Sequence, residues 1–334
     1  MNIREVARRA NVSTATVSRT INGSDKVSPE TAERVRTAIQ ELNYYPNTNA
    51  RALGSGRSRL YGLIISDITN PFFPELVKSF EDVAVTHGQD VIIANTGYSA
   101  ARTELCVQRM LERKVDGVAI ITSEMDPHVI DRLTGRGIPI VFLDTGLVGT
   151  GVSNIVVDYA SGVHAVLAHL AELGHQRIAF ISGPMHLPSA VIRRDAFLAA
   201  AKEFGIEVPE DLIVEANHRA DGGGSAMDRL LDRDPRPTAV MASNDLTAIG
   251  AIGAIHQRGL RVPEDVSVAG FDDIDFCSLV HPTLTTVRLS RAEIADRAFH
   301  ALFSENSKEE RMGTEYRISP QFIIRNSTGR NPEL

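Results

Sequence analysis

The sequence predicts two kinds of fold in one chain: an all-α helix-turn-helix head, and behind it an α/β body of two lobes built on parallel sheets. Three observations predict this. Residues 2–45 repeat apolar side chains at helical spacing, with turn chemistry between the repeats. From Leu60 onward, short apolar runs alternate with helical stretches, and the alternation occurs twice over. The charge is divided in the same place: residues 1–59 hold ten Lys/Arg against five Asp/Glu, and the remainder holds 25 against 37, within a net charge of −7. A basic head on an acidic body points to a polyanionic partner for the head alone.

The head is legible residue by residue. Asn2 can cap a first helix, and Glu5, three residues on, completes a capping box. Ile3, Val6, Ala7 and Ala10 then recur on one face. Asn11 breaks the pattern, since Asn tolerates the left-handed conformation of a tight turn. Ser13 can cap a second helix with Val17 and Ile21 facing inward and Gly23 at its end. Its outer side carries Thr14, Ala15, Thr16, Ser18 and Arg19, small or hydroxylated residues plus one arginine, suited to reading base edges in a major groove. Ser28-Pro29 opens a third helix with Ala32, Val35, Ile39 and Leu42 inward. Residues 47–59 are a linker holding a short helical fragment around Ala50 and Leu53, stopped by Gly54 and Gly56. One to two turns is below the length that is helical alone in water.

The body begins with LYGLIIS at 60–66, a short apolar run that reads as a buried strand. A helix near 72–87, DVIIANT at 90–96, a helix near 102–113, DGVAIIT at 116–122, a helix near 127–136 and PIVFLDT at 139–145 follow. A second series starts near Asp158: a helix at 159–173, RIAFISG at 177–183, a helix at 190–204, LIVEAN at 212–217, a helix at 223–231, TAVMASN at 238–244, a helix at 246–258 and VSVAGFD at 266–272. LTTVRLS at 284–290 is extended, and a helix at 291–303 and EYRISPQFIIRNST come last. Two such lobes suit a small-molecule site at the carboxyl ends of their strands.

Composition excludes several classes. No apolar run approaches membrane-spanning length. Met1 leads straight into a charged amphipathic helix, so no secretory leader is expected and the cytoplasm is the expected compartment. Cys106 and Cys277 fit reduced buried thiols. No Cys/His cluster has zinc spacing, and the first strand lacks the glycine fingerprint of a dinucleotide site. With no nucleophile–base pair beside His164, His169 or His175, no catalytic residue, metal or cofactor is expected. Asp272, Asp273 and Asp275 read as a solvated acidic turn, Gly222-Gly223-Gly224 as a loop before a helix, and Gly250 and Gly253 as helical sites of close packing.

VARRANVSTATVSRTING, ELNYYPNTNARALGSGRS, GLIISDITNPFF, KVDGVAII, ELGHQRIAFISGP, ASNDLTAIGAI, VSVAGFDD, LTTV and FIIRNST occur in this order across nearly the whole chain. Together they resemble the lac repressor-type (LacI/GalR) family of bacterial transcription regulators. The resemblance implies a helix-turn-helix domain over 1–46, a hinge helix and linker over 47–59, and a sensor over 60–334 like periplasmic sugar-binding proteins. Lobe 1 would hold about 60–157 and 289–317, and lobe 2 about 158–288 and 318–334. It also implies a homodimer on a pseudo-palindromic double-stranded operator, and a sugar-like effector. Thr14 and Ala15 fall where the family reads bases and Arg19 at a frequent guanine contact. Ser13, Thr16, Ser18 and Asn22 fall at backbone contacts, and Ala50 and Leu53 at hinge residues placed in the minor groove. In the sensor, Asp144, Arg193, Asn244 and Asp272 match positions that often line the effector site. Phe72 and Phe73 lie where stacking or gating residues are common, and His218 near a position often aromatic, although NHRADGGG around it departs from the common pattern.

The residues themselves admit two readings of the sensor positions. Asp144, Asn244 and Asp272 each end a strand, where ligand contacts gather; a strand-end Asp or Asn can equally cap the next helix. Carboxylates and an amide pair with hydroxyls, and an arginine forks onto hydroxyl pairs or anions. A polar ligand such as a sugar fits the four together.

Overall fold

The computed structural model describes residues 2–21, 23–45, 57–122, 132–303 and 312–333. The chain divides into two compact units, Met1–Arg59 and Leu60–Leu334.

The first unit holds α1 (Ile3–Arg9), α2 (Thr14–Ile21) and α3 (Pro29–Glu41). Asn2 caps α1 in a complete capping box: its side chain accepts from the backbone of Arg4 and Glu5, and the Glu5 carboxylate accepts from the Asn2 N–H at 3.0 Å. Asn11 takes the left-handed conformation at φ 54° in the turn. Ser13 Oγ accepts from Thr16 N–H at 3.1 Å, and Ser28 caps α3 with Pro29 in its first turn. Val6, Ala7, Ala10, Val17, Val35 and Ala38 close a small core, with Ile3, Val12, Ile21, Ile39, Leu42 and Tyr44 around it.

The second unit is two α/β lobes. Lobe 1 carries an all-parallel six-stranded sheet. Its strands are β1 (Leu60–Ile65), β2 (Asp90–Asn95), β3 (Gly117–Ile121), β4 (Ile140–Leu143), β5 (Val152–Val157) and β11 (Glu315–Ile318), in the order β11-β5-β4-β3-β1-β2. α4 (Phe72–Thr86), α5 (Ala100–Glu112) and α10 (Arg291–Leu302) cover it. Lobe 2 carries β6 (Ile178–Ser182), β7 (Ile213–Glu215), β8 (Ala239–Ala242) and β9 (Ser267–Ala269), parallel and ordered β7-β6-β8-β9. Its helices are α6 (Tyr159–Glu172), α7 (Pro188–Glu203), α8 (Ala220–Leu231) and α9 (Asp245–Gln257). β10 (Thr286–Arg288) and β12 (Gln321–Ile323) pair antiparallel beside α6. Three segments therefore join the lobes: β5 to α6, β10 to α10, and β11 to β12.

Continuous apolar runs give fully buried strands in β3, β6 and β8, and in β1 after a half-buried Leu60, as parallel sheets covered on both faces require. β2 differs. It is an edge strand, and Ile93 is 45% exposed despite the apolar run. β5 has no counterpart in the sequence reading, which places the second series directly after the strand at 139–145. Its run VSNIVV is interrupted by Asn154, a buried polar residue that accepts from Thr145 N–H and Oγ1 at 3.1 and 3.2 Å. Half of the helix expected near 127–136 lies outside the described residues; of the rest, Arg132, Leu133 and Thr134 are helical.

Two expectations need correction. Gly222, Gly223 and Gly224 lie inside α8 rather than in a loop before it. They are there because α8 and α9 pack backbone to backbone. A methyl at Gly223 would lie 2.2 Å from the Thr247 carbonyl oxygen, and one at Gly250 would lie 1.9 Å from that of Ala220. Gly253 plays no part in this seam, for a methyl there meets nothing within 4 Å.

The seam yields a paired prediction. Gly250→Ala is expected to destabilise the body by about 1–3 kcal/mol, the usual range for forcing extra volume into a packed interior. Gly253→Ala is expected to be neutral or to stabilise by up to about 1 kcal/mol, since it only removes helical glycine entropy. Urea unfolding of the two variants measures both, and equal effects would contradict the seam.

Candidate functional site

Two surfaces concern function, one on each unit. On the head, α2 presents Thr14, Ala15, Ser18 and Arg19 as exposed side chains, with Ser13 exposed at its start. Thr16 is half-buried, and its Oγ1 lies 3.0 Å from Ser13 Oγ. The first turn of α2 carries no acidic residue, so the positive end of the helix dipole is left uncompensated and favours an anion. Asn22, Ala50 and Leu53, with the hinge over 47–53, lie outside the described residues.

On the body, a cavity of about 400 Å³ opens where the carboxyl ends of the strands of both lobes meet. Phe72, Phe73, Asp144, Arg193, His218, Asn244 and Asp272, spread over 201 positions of sequence, all line it. Phe72 and Phe73 open α4 and stand edge to face, their ring centres 5.3 Å apart. Asp144 follows β4 in the left-handed conformation (φ 57°), which turns its carboxylate back across the sheet. Its Oδ1 accepts from Val157 N–H at 2.8 Å and its Oδ2 from the Tyr159 hydroxyl at 2.7 Å.

Arg193 projects from α7 and is 8% exposed. Its guanidinium carbon sits 4.8 Å from the Tyr159 ring centre and 4.6 Å from that of Phe271. One terminal nitrogen donates to the Ser243 carbonyl and the other to Asp272 Oδ1 at 3.4 Å. Asn244 combines both readings open to it from sequence. Its Oδ1 caps α9 by accepting from Thr247 N–H, while its Nδ2 donates to the His218 carbonyl at 3.0 Å. His218 lies against Gly183, where a methyl would come 1.8 Å from its Nε2. Among the described residues His218 Nε2 and Arg193 Nε are buried without a hydrogen-bond partner, a condition that is costly unless something else meets them.

The acidic turn at 272–275 is not solvated as expected: Asp272 and Asp273 are buried, and only Asp275 is exposed. The reason is arginine. Arg193 faces Asp272, while Arg288 and Arg325 hold the two oxygens of Asp273 at 2.6 and 2.7 Å. Burial still pushes the Asp272 carboxyl up, against the pull of Arg193 and Arg291. Burial likewise raises Asp144, opposed by the Val157 N–H and the Tyr159 hydroxyl. Tyr159 is itself driven up by burial and by the Asp144 charge, so it stays a donor. Burial and the Arg193 charge push His218 down to about 3, so its imidazole is neutral at ordinary pH.

Several lining residues escaped the sequence reading, among them Asn70, Tyr98, Thr145 and Tyr159. Tyr159 was placed only as the first residue of a helix. With β5 unrecognised, nothing set it opposite Asp144. At the mouth, Asp67 of lobe 1 pairs with Arg219 of lobe 2 at 2.8 Å. Burial works against the Asp67 charge, but hydrogen bonds from Thr69 and the Arg219 guanidinium hold its carboxyl below the usual range. Among the described residues no His/Cys/Asp/Glu group could hold a metal, and no helix is long and apolar enough to cross a membrane.

Comparison with known proteins bears on both surfaces. Residues 2–47 match the bacterial regulatory proteins of the lacI family, and residues 167–328 match the periplasmic binding protein-like domain. The HTH-type transcriptional repressor PurR of Klebsiella pneumoniae subsp. pneumoniae is 34% identical over 334 residues, covering 99% of this chain and 97% of that protein. The lac repressor dimer bound to operator and the anti-inducer ONPF superposes with a TM-score of 0.86 at 28% identity, covering 98% of this chain and 99% of that one. The transcriptional regulator CelR in complex with cellobiose superposes at 0.73 with 30% identity, covering 98% and 99%.

The buried imidazole makes stability depend on pH. The unfolded chain protonates His218 near pH 6.5 and the folded chain only near 3, so between these values the unfolded state binds more protons and stability falls as pH falls. From pH 7 to pH 5 the loss owed to this residue is on the order of 2 kcal/mol. His218→Gln is expected to lose that much less over the same interval, measured by urea unfolding at each pH. Parallel pH curves for the two proteins would mean that the imidazole ionises freely in the fold.

Proposed function

The chain belongs to the lacI family of bacterial regulatory proteins, and on that premise we propose that its operator affinity is set by a small sugar or sugar derivative held in the cavity of the body. As a member of that family it is a DNA-binding transcriptional repressor. The observation that carries the effector reading is the cavity itself, with Asp144, Arg193, Asn244 and Asp272 at its polar wall and Phe72 and Phe73 at its apolar one. Carboxylate and amide groups pair with hydroxyls, while aromatic rings cover the C–H face of a pyranose or furanose. That CelR is found with cellobiose supports the same chemistry here.

In this proposal the protein acts as a cytoplasmic homodimer on a pseudo-palindromic operator, with no catalytic step. α2 enters the major groove: Thr14, Ala15 and Arg19 read bases, and Ser13, Thr16, Ser18 and Asn22 hold the backbone. Ala50 and Leu53 of the hinge lie in the minor groove, where an apolar wedge bends DNA and gains contacts that offset unstacking. Effector binding favours one arrangement of the two lobes, and the populations of operator-competent and operator-incompetent dimers shift accordingly.

Arg19→Ala is expected to weaken specific operator binding by about 1–3 kcal/mol, the value of a bidentate base contact, and non-specific binding by less. Fluorescence anisotropy at fixed salt on operator and random duplexes tests it; equal losses would reduce Arg19 to a phosphate contact. Asp272→Ala is expected to abolish the effector response while operator binding without effector persists, because the ligand hydroxyls and Arg193 then lack their acceptor. Unchanged effector affinity by calorimetry would remove the site from the cavity.

A further inference from the structure

We propose that the cavity is built for an uncharged, hydroxyl-bearing effector and rejects phosphorylated and carboxylated relatives of it, with Arg193 a fixed part of the wall instead of an anion receiver. This rests on the effector reading given above and narrows it to one chemical class.

Among the described residues, the charges that line the cavity are Asp144, Arg193 and Asp272, two acidic groups against one basic group. His218 contributes no charge, since burial and Arg193 keep it neutral.

Both terminal nitrogens of Arg193 are engaged within the protein, and among the described residues its Nε–H is the donor left open. The Tyr159 and Phe271 rings, their centres 5.7 Å apart, pack together against its guanidinium. Its terminal nitrogens go to the Ser243 carbonyl and to Asp272. A phosphate or carboxylate forking across both terminal nitrogens would displace the Ser243 carbonyl and Asp272, leaving that buried carboxylate uncompensated. The arginines nearest the cavity are also committed: Arg219 to Asp67 at 2.8 Å, and Arg291 to Glu75 and to the Asp272 carbonyl. An entering anion therefore loses its water and meets two carboxylates, with only the Nε–H of Arg193, a charge already facing Asp272, to offset the cost.

A neutral polyol meets the opposite situation. Each oxygen of Asp144 accepts a single bond from the protein, from Val157 N–H and from the Tyr159 hydroxyl, and a carboxylate oxygen accepts two. Hydroxyl donors fit those positions and Asp272, and Phe72, Phe73, Leu143, Val157 and Leu289 supply an apolar wall for a carbon skeleton.

The test uses the full chain and matched pairs that differ only in charge: ribose with ribose 5-phosphate, glucose with glucose 6-phosphate, and galactose with galacturonate. To these is added a bacterial small-molecule extract split by anion exchange into flow-through and retained fractions. Binding is read as a rise in melting temperature and as calorimetric affinity. The expected result is a rise with a neutral member or with the flow-through, its charged partner binding at least about 100-fold more weakly. An anionic member that binds as well as its neutral partner, or a rise confined to the retained fraction, overturns the inference and leaves the effector reading standing. A rise with neither fraction overturns the effector reading, and this inference with it.

Discussion

The body is arranged around one buried charge. Arg193 has been taken out of water, and such a charge is tolerable only if it is paired and hydrogen-bonded. Its partners come from distant parts of the chain: Ser243 after β8, Phe271 and Asp272 after β9, Tyr159 at the start of α6, and among the described residues its Nε–H is left open in the cavity wall. Each partner brings a further obligation. The Tyr159 hydroxyl must donate, and Asp144 of lobe 1 accepts it. The Asp272 carbonyl accepts from Arg291, which is held in turn by Glu75 of α4. A continuous polar chain thus runs from lobe 1 through lobe 2 and back again, along the wall of the cavity.

Much of this was legible in the sequence. The capping box at Asn2, the turn at Asn11 and the Ser28-Pro29 start are local signals, decided within three or four residues, and the structure carries each of them. Fully buried strands announced themselves as apolar runs. What escaped was decided at a distance. β5 contains Asn154, whose partner Thr145 lies nine residues away in another strand's loop, so its polar residue reads as an interruption. The burial of Asp272 and Asp273 depends on Arg193, Arg288 and Arg325, none of them near enough in sequence to advertise the pairing. The seven cavity residues were named by the family resemblance; chain position alone gave only strand ends, which serve capping as readily as binding.

Asn244 shows that these two roles need not compete. Its oxygen is spent on the first turn of α9, which fixes the rotamer, and the same fixed rotamer directs its nitrogen to the His218 carbonyl. Capping thereby joins the loop before α8 to the start of α9, and the left-handed conformation at His218 (φ 60°) is held by that bond. The imidazole then rests on Gly183, the residue after β6, where no side chain could be accommodated.

The glycine seam has a mechanical consequence for this part of the cavity. Where backbones touch without intervening side chains, no soft layer exists to absorb sliding, so α8 and α9 can move only as one block. His218 and Asn244 sit at the same end of that block and are tied to each other. Any change in the spacing of the lobes would therefore carry both groups along together. The floor of lobe 2 is a rigid plate, and Phe72, Phe73 and Thr145 face it from the lobe 1 side of the cavity.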